Sequence, residues 1–391
     1  MPLSSFRTWV GGSLDKINGQ TTAAITTTSS QTVTLANVAG TIPSTGYAFI
    51  IDGDQTEVLA YTGGTSTTVT LTPAKAHEVN TYVAIAATNT PSFYLPLEKL
   101  SPADDYAQLM DQSFQGSSVT TMAIVQGMRT STWDFGGSVY ADTFGYLLGS
   151  IFGAEDYTAG TPSQHAFSVD NAGDQQPTPL ILWFYDGLNV RVFAGGKVTD
   201  LTLTLDPSAL MSYSAKFIAR ASGVYASAST SASFTSLVPL PAWTGSLSVA
   251  AAGVTQAQSF EVSFSRQNSE PVAALIGQQD PATIWVGPLK VTGKVTYWKN
   301  DDTQYNYVTQ NTQPAVVITS TQASPSTGLN VTMTKCNLMN PRIVVDSKPY
   351  VVEEFDFEGV ANSTDATTAG GGVSPVKVLL KNSIASGTTY V

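Results

Sequence analysis

The sequence predicts a mainly β protein, and three observations carry that prediction. Apolar and polar residues alternate with period two along most of the chain, helix-period stripes are rare, and Gly, Asp and Pro turn signals separate the alternating runs. Leu201, Leu203 and Leu205 share a parity, and Met211, Tyr213, Ala215 and Phe217 follow after the polar turn Asp206-Pro207-Ser208. That pattern is a hairpin with one buried face. Phe260, Val262 and Phe264 alternate likewise, as do Val291, Val295 and Tyr297, and then Val351, Glu353, Phe355 and Phe357. Glu353 falls on the apolar parity of its strand, which marks it as a paired or interface carboxylate.

One or two short helices are expected. Ser101-Pro102-Ala103-Asp104-Asp105 reads as an N-cap, a first-turn proline and first-turn acids leading into Tyr106, Leu109 and Met110. Between Asp142 and Phe152, the residues Phe144, Leu147, Leu148, Ile151 and Phe152 form one stripe that stops at Gly153.

The run from Val198 to Ala221 aligns without gaps on the run from Leu338 to Ala361, at an offset of 140 residues. Leu203 and Leu205 meet Ile343 and Val345, while Met211, Ala215 and Phe217 meet Val351, Phe355 and Phe357. Buried-face parity is kept throughout, so a tandem duplication of one β-sandwich or barrel domain is expected; identity is low, and two unrelated amphipathic hairpins would also align. The boundaries follow from composition. Residues 1–20 form an arm or first strand, and 21–90 a small inserted β domain with an Asp-Gly and a Gly-Gly turn. Residues 91–222 form the first large unit, 223–242 a Ser/Ala linker, 243–361 the second unit, and 362–391 a C-terminal arm. That arm is flexible by composition around Gly370-Gly371-Gly372 before one short strand that includes Val378 and Leu380.

Charged residues make up 12% of the chain, about half the ~25% usual in soluble domains, and Ser, Thr, Gly and Ala fill the gap. Such a surface costs little to desolvate and suits burial against copies of itself. The net charge of −11 argues against nucleic-acid binding, which needs cations for phosphates, but not against nucleic acid passing without sticking. The N-terminal residues show no secretory h-region, and no stretch is apolar enough to span a membrane, so a bacterial cytoplasmic origin is expected.

Catalysis finds little to work with. Cys336 is the single cysteine and reads as a buried, inert thiol, while the two histidines, His77 and His165, read as surface or turn residues. No metal, phosphate-loop or nucleophile-elbow motif occurs, so no catalytic residue, cofactor or metal is expected. Asp52, Asp54 and Glu57 lack the rest of a calcium ligand set. Asp104-Asp105 and Asp301-Asp302 read as a helix start and a solvated turn. Trp298, close to Tyr305 and Tyr307, serves either an interface or the core.

Three segments, in chain order, resemble the tail tube proteins of long-tailed bacteriophages, and together they cover roughly residues 92–361. WDFGGSVYADTFGYLLGSIFG (133–153) is similar to that family's aromatic helix segment, and FAGGKVTDLTLTLDPSALMSYSAKFIARAS (193–222) to its recurring hairpin. QSFEVSFSRQNSEPVAALIGQQDPATIWVGPLKVTGKVTYW (258–298) is similar to the strands and helix-like link of its second half. The resemblance implies two tandem tail-tube β domains in a ring-forming, non-enzymatic structural subunit of the virion tail. Rings would stack around a lumen that conducts DNA without binding it, in company with other tail proteins. Two domains per chain favour a trimer with pseudo-sixfold symmetry over a hexamer. Phe6, Trp9, Trp298, Tyr305, Tyr307, Glu353, Val378 and Leu380 are the expected subunit-interface residues. The competing reading is a β-sandwich adhesin or carbohydrate-binding module; a polysaccharide hydrolase would need a carboxylate pair set across a cleft.

Overall fold

The computed structural model describes residues 8–26, 28–113, 120–172, 174–225, 231–254, 256–272, 276, 278–322, 326–345, 350–385 and 390–391. The fold is mainly β: a twelve-stranded sheet, a seven-stranded sheet packed on it, a closed six-stranded barrel and a small two-stranded pair.

In the large sheet, the strands Lys99–Asp111, Ala123–Ser138, Ser212–Ala219 and Val190–Leu205 lie side by side. Ala257–Arg266, Leu289–Trp298, Val352–Gly359 and Cys336–Val344 continue the row. The strand Val190–Leu205 forks at Gly195-Gly196: its later half stays in this row, and its earlier half pairs with Leu180–Tyr185, which leads to Trp9–Leu14 and Phe93–Leu95. Gly195 has a φ of +62°, a conformation that disfavours a side chain.

The row of eight falls into two sets of four strands whose pairings run in parallel. Pro102, Trp133 and Phe217 lie opposite one another across the first unit, as Val262, Gly293 and Phe357 do across the second. Leu203 faces Tyr213 in one hairpin, and Ile343 faces Glu353 in the other. Each hairpin also slips register once, between Val198 and Asp200 and, one to two residues further along at the offset of 140, between Met339 and Arg342. In each unit the second strand is followed by a helix (Phe144–Phe152, Thr303–Thr309) and then a hairpin in the seven-stranded sheet.

The core lies between the two sheets and takes in the helix Phe144–Phe152, all of whose residues except Tyr146 are buried. That helix follows from its apolar stripe, and Gly153, at φ +94°, ends it. Arg266 donates to its last carbonyls, Nε to Ile151 O (2.7 Å) and Nη2 to Phe152 O (3.0 Å), which satisfies acceptors the helix leaves free. Trp133 is buried edge-on to Phe193, Phe217 and Phe135. Trp133→Ala is expected to lower unfolding free energy by about 3–5 kcal/mol, read from urea denaturation.

Three sequence expectations are corrected. Ser101–Met110 is strand, not helix: a helix cap contributes only about 1 kcal/mol, and a long ladder with Ala123–Ser138 outweighs it. Pro102 fits there because an edge strand tolerates a missing N–H. The C-terminal segment is pinned rather than flexible. Lys377–Asn382 sits inside the seven-stranded sheet between Ser163–Val169 and Thr327–Met333. Buried Asp365 accepts from Thr334 N (2.7 Å), and Asn171 Nδ2 donates to Gly371 O (2.8 Å) and Val373 O (3.0 Å). The helix-like link at 270 is instead a strand, Glu270–Val272, paired with Thr283–Trp285; residues 273–275 lie outside the described residues. The helix Thr303–Thr309, with Asp301 accepting from Thr303 N (2.8 Å), had no sequence signal beyond its polar start.

The barrel takes the strands Ile17–Thr21, Gln31–Ala39, Thr68–Leu71, Glu57–Thr62, Gly46–Ile51 and Tyr82–Ala86 around Val33, Leu35, Ile50, Val69, Leu71 and Val83. Its outer face, with Phe49, Ile51 and Tyr82, packs on Trp183, Val192 and Trp9 of the large sheet.

Candidate functional site

The site is built from sheet edges. Lys99–Asp111 pairs on one side with Ala123–Ser138, and Cys336–Val344 on one side with Val352–Gly359; among the described residues neither has a second neighbour. Unpaired backbone groups along a strand invite another strand. The side chains at the second edge are equally unfinished. Ile343 is 49% and Val345 76% exposed, whereas their counterparts Leu203 and Leu205 are 0% and 8% exposed beneath the next unit. Beside the first edge lies a cavity of about 740 Å³ lined by Trp9, Val10, Leu95, Leu97, Leu100 and Phe184.

The face of the row turned away from the core is polar. One line across it reads Lys99, Gly136, Ser214, Thr202, Ser263, Thr292 and Glu358. Its charges are paired across strands, Lys294 with Glu354 at 2.8 Å and Arg342 with Glu354 at 3.5 Å.

The two ends of the row differ. At one end, Lys99–Asp111 and Ala123–Ser138 run on as a hairpin whose Leu109, Met110, Ile124 and Val125 are all more than half exposed. At the other end lies an apolar groove of about 340 Å³ lined by Leu205, Leu247, Val254, Phe260 and Ile318.

Of the expected interface residues, Phe6 lies outside the described residues. Trp9 is buried and lines the cavity at the first edge. Val378 and Leu380 are fully buried in the chain's own core, so their side chains are not presented to a partner. Glu353 is buried and bonded to Lys299 at 3.1 Å, and it stands opposite Ile343 in the ladder. Trp298 and Tyr305 are exposed on either side of Lys299, Trp298 on an inner strand two places from that edge, and Tyr307 packs half-buried on the core. Sequence reading missed the first edge, which it took for a helix, and the hairpin. For the second edge the signal was present, since Ile343 and Val345 align on Leu203 and Leu205.

Both histidines are buried, which corrects their reading as surface residues. His165 shares hydrogen bonds with Glu155 Oε1 (2.5 Å) and Ile384 O (3.0 Å). His77 lies between Glu57 Oε1 (2.7 Å) and Asp52 Oδ2 (3.3 Å), and Arg129 joins Asp52 (3.0 Å) to Asp280 (2.6 Å). This chain of charges ties the barrel to both large units. Burial alone would push His77 down, but its bonds to Asp52 and Glu57 outweigh burial and hold it above the ordinary histidine value. A raised folded-state value means stability that is complete below about pH 6.5 and lost as pH rises through it. The melting temperature is therefore expected to fall as pH rises above about 6.5, and His77→Gln to flatten that slope, as scanning calorimetry would read.

Cys336 is fully buried, and burial pushes its thiol up to about 12. Among the described residues no group of three or more His, Cys, Asp or Glu is placed to hold a metal, and no helix is long and apolar enough to cross a membrane.

No curated protein matches the chain. A family model described as phage tail tube protein matches residues 112–359, well over half of the sequence and all but the first strand of the repeated row. The chain therefore belongs to the phage tail tube protein family, whose members are structural components of the virion tail that assemble with themselves and with other tail proteins.

Proposed function

We propose that copies of this chain close into a ring by repeating, between chains, the junction that already joins the two units within one. The internal junction carries this reading. Val190–Leu205, the outer strand of the first unit, pairs with Ala257–Arg266, the first strand of the second, with Leu203 opposite Val262 and Thr204 opposite Glu261. The equivalent strands with free edges are Cys336–Val344 and Lys99–Asp111. Carrying the register over sets Ile343 of one copy opposite Pro102 of the next, Val344 opposite Ser101, and Val345 over Leu100 and the apolar cavity beside it. Since each chain carries two units, three chains complete a pseudo-sixfold ring, and the resulting barrel has no free edge.

The polar face then lines the lumen. Its carboxylates (Asp105, Asp134, Asp200, Glu261, Glu354, Asp356, Glu358) outnumber its cations (Lys99, Lys216, Lys290, Lys294, Arg342), so DNA phosphates are repelled rather than held during ejection. The hairpin at one end of the row and the apolar groove at the other make a head-to-tail pair, and a contact of that kind propagates rings into a tube.

Cysteine cross-linking tests the junction. In Ser101→Cys/Val344→Cys, oxidation of assembled protein should give covalent trimers, with buried Cys336 as a silent background. Class-averaged rings should show three chains. Assembled rings that stay uncrosslinked, or that hold six chains, would refute the proposed closure.

A further inference from the structure

Between the barrel and the large sheet lies a second cavity, of about 330 Å³, lined by Asn18, Asn37, Tyr82, Lys197, Arg220 and Thr283. Two of these are cations inside the wall. Arg220 is 2% exposed and Lys197 4%. Arg220 stands with its Cζ 3.5 Å from the centre of the Tyr82 ring. Its Nη2 donates to Ala282 O at 2.6 Å, while its Nε finds no acceptor among the described residues. Lys197 Nζ donates to a neutral group, Gln176 Oε1, at 2.9 Å.

The acid whose field reaches Arg220 is weak. Asp15 is fully buried, and its carboxylate is engaged by Tyr82 OH (2.6 Å), Gly195 N (3.0 Å) and Asn18 Nδ2 (3.4 Å). Burial raises Asp15 above the ordinary carboxylate value, which costs it anionic character. Lys197 shows the shortage directly. Burial pushes it down to about 8, Arg266 and Arg220 push the same way, and only the field of Asp174 opposes them. A buried cation lacking an anionic partner is destabilising, and a guanidinium and an ammonium that line one cavity together suit an oxyanion.

We infer that this cavity binds a small inorganic oxyanion of the phosphate or sulfate class, held by Arg220 and Lys197 with neutral donors from Asn37 and Thr283. Both cations lie too deep for a DNA backbone to reach, so the ligand is a free ion. Bound there, it joins the barrel, the first unit and the short strand Thr283–Trp285 of the second. The inference does not depend on ring closure.

Calorimetric titration of the full-length chain with inorganic phosphate, at constant ionic strength against chloride, tests it. Saturable binding of one phosphate per chain is expected, with sulfate competing and chloride inert. Lys197→Met should weaken binding by roughly tenfold or more, the worth of one charge-assisted hydrogen bond. Arg220→Met should do the same; if circular dichroism shows that variant unfolded, the Lys197→Met titration decides alone. Absence of saturable heat with phosphate and sulfate, or wild-type affinity in Lys197→Met, overturns the inference. Tube formation, scored separately by microscopy, leaves this result unaffected.

Discussion

Ile343→Asp should abolish assembly while leaving the chain folded. In the free chain Ile343 stands half in solvent at a sheet edge, so a charge there is well hydrated and changes stability by about 0.5 kcal/mol or less. In the proposed ring it would take the place that Leu203 has at the internal junction, fully buried opposite Val262. An unpaired carboxylate at such a place costs several kcal/mol at every junction of the ring. The expected result is a monodisperse monomer in size-exclusion chromatography, a melting temperature close to wild type, and no tubes by electron microscopy. Ile343→Val, which keeps the apolar contact, should still assemble. Normal tubes from Ile343→Asp would place the junction elsewhere.

The second large effect separates rings from tubes. Leu109 and Val125 lie directly opposite each other on the projecting hairpin, and both are about 60% exposed. Exposed apolar groups clustered on a protrusion are a contact surface in waiting. Leu109→Asp/Val125→Asp should leave ring closure intact, because the strand register below the hairpin is untouched, and stop the stacking of one ring on the next. Electron micrographs should then show single rings under conditions where the wild type gives tubes. Full-length tubes from this double variant would remove the hairpin from the stacking contact.

Much of this architecture was legible in the residues. The Leu203 and Phe217 parities, the helix that stops at Gly153 and the 140-residue echo are all local patterns, and local patterns survive into the fold. What stayed hidden depends on partners far away in sequence. Ser101 to Met110 carries sound helix-start chemistry, yet the ladder with Ala123–Ser138 decides its conformation. His77 looked like a turn residue because Asp52 and Glu57, which hold it, lie more than a strand away. Val378 and Leu380 looked like an arm because nothing nearby shows that Ser163–Val169 and Thr327–Met333 stand apart to receive them. Of the exposed side chains, Trp298 and Tyr305 stood out in the sequence, whereas the exposed Ile343 becomes meaningful only beside its buried counterpart, Leu203.

The placement of Lys377–Asn382 has a bearing on synthesis. The strand lies between hairpins that leave the ribosome long before it does, and Asn382 fastens it to Ala141 O at 2.8 Å. Without those six residues, Ser163–Val169 and Thr327–Met333 have no strand between them, and the seven-stranded sheet falls into a pair of strands and a set of four. Closure of that sheet therefore waits on Lys377–Asn382, whose ladder partners lie far back along the chain.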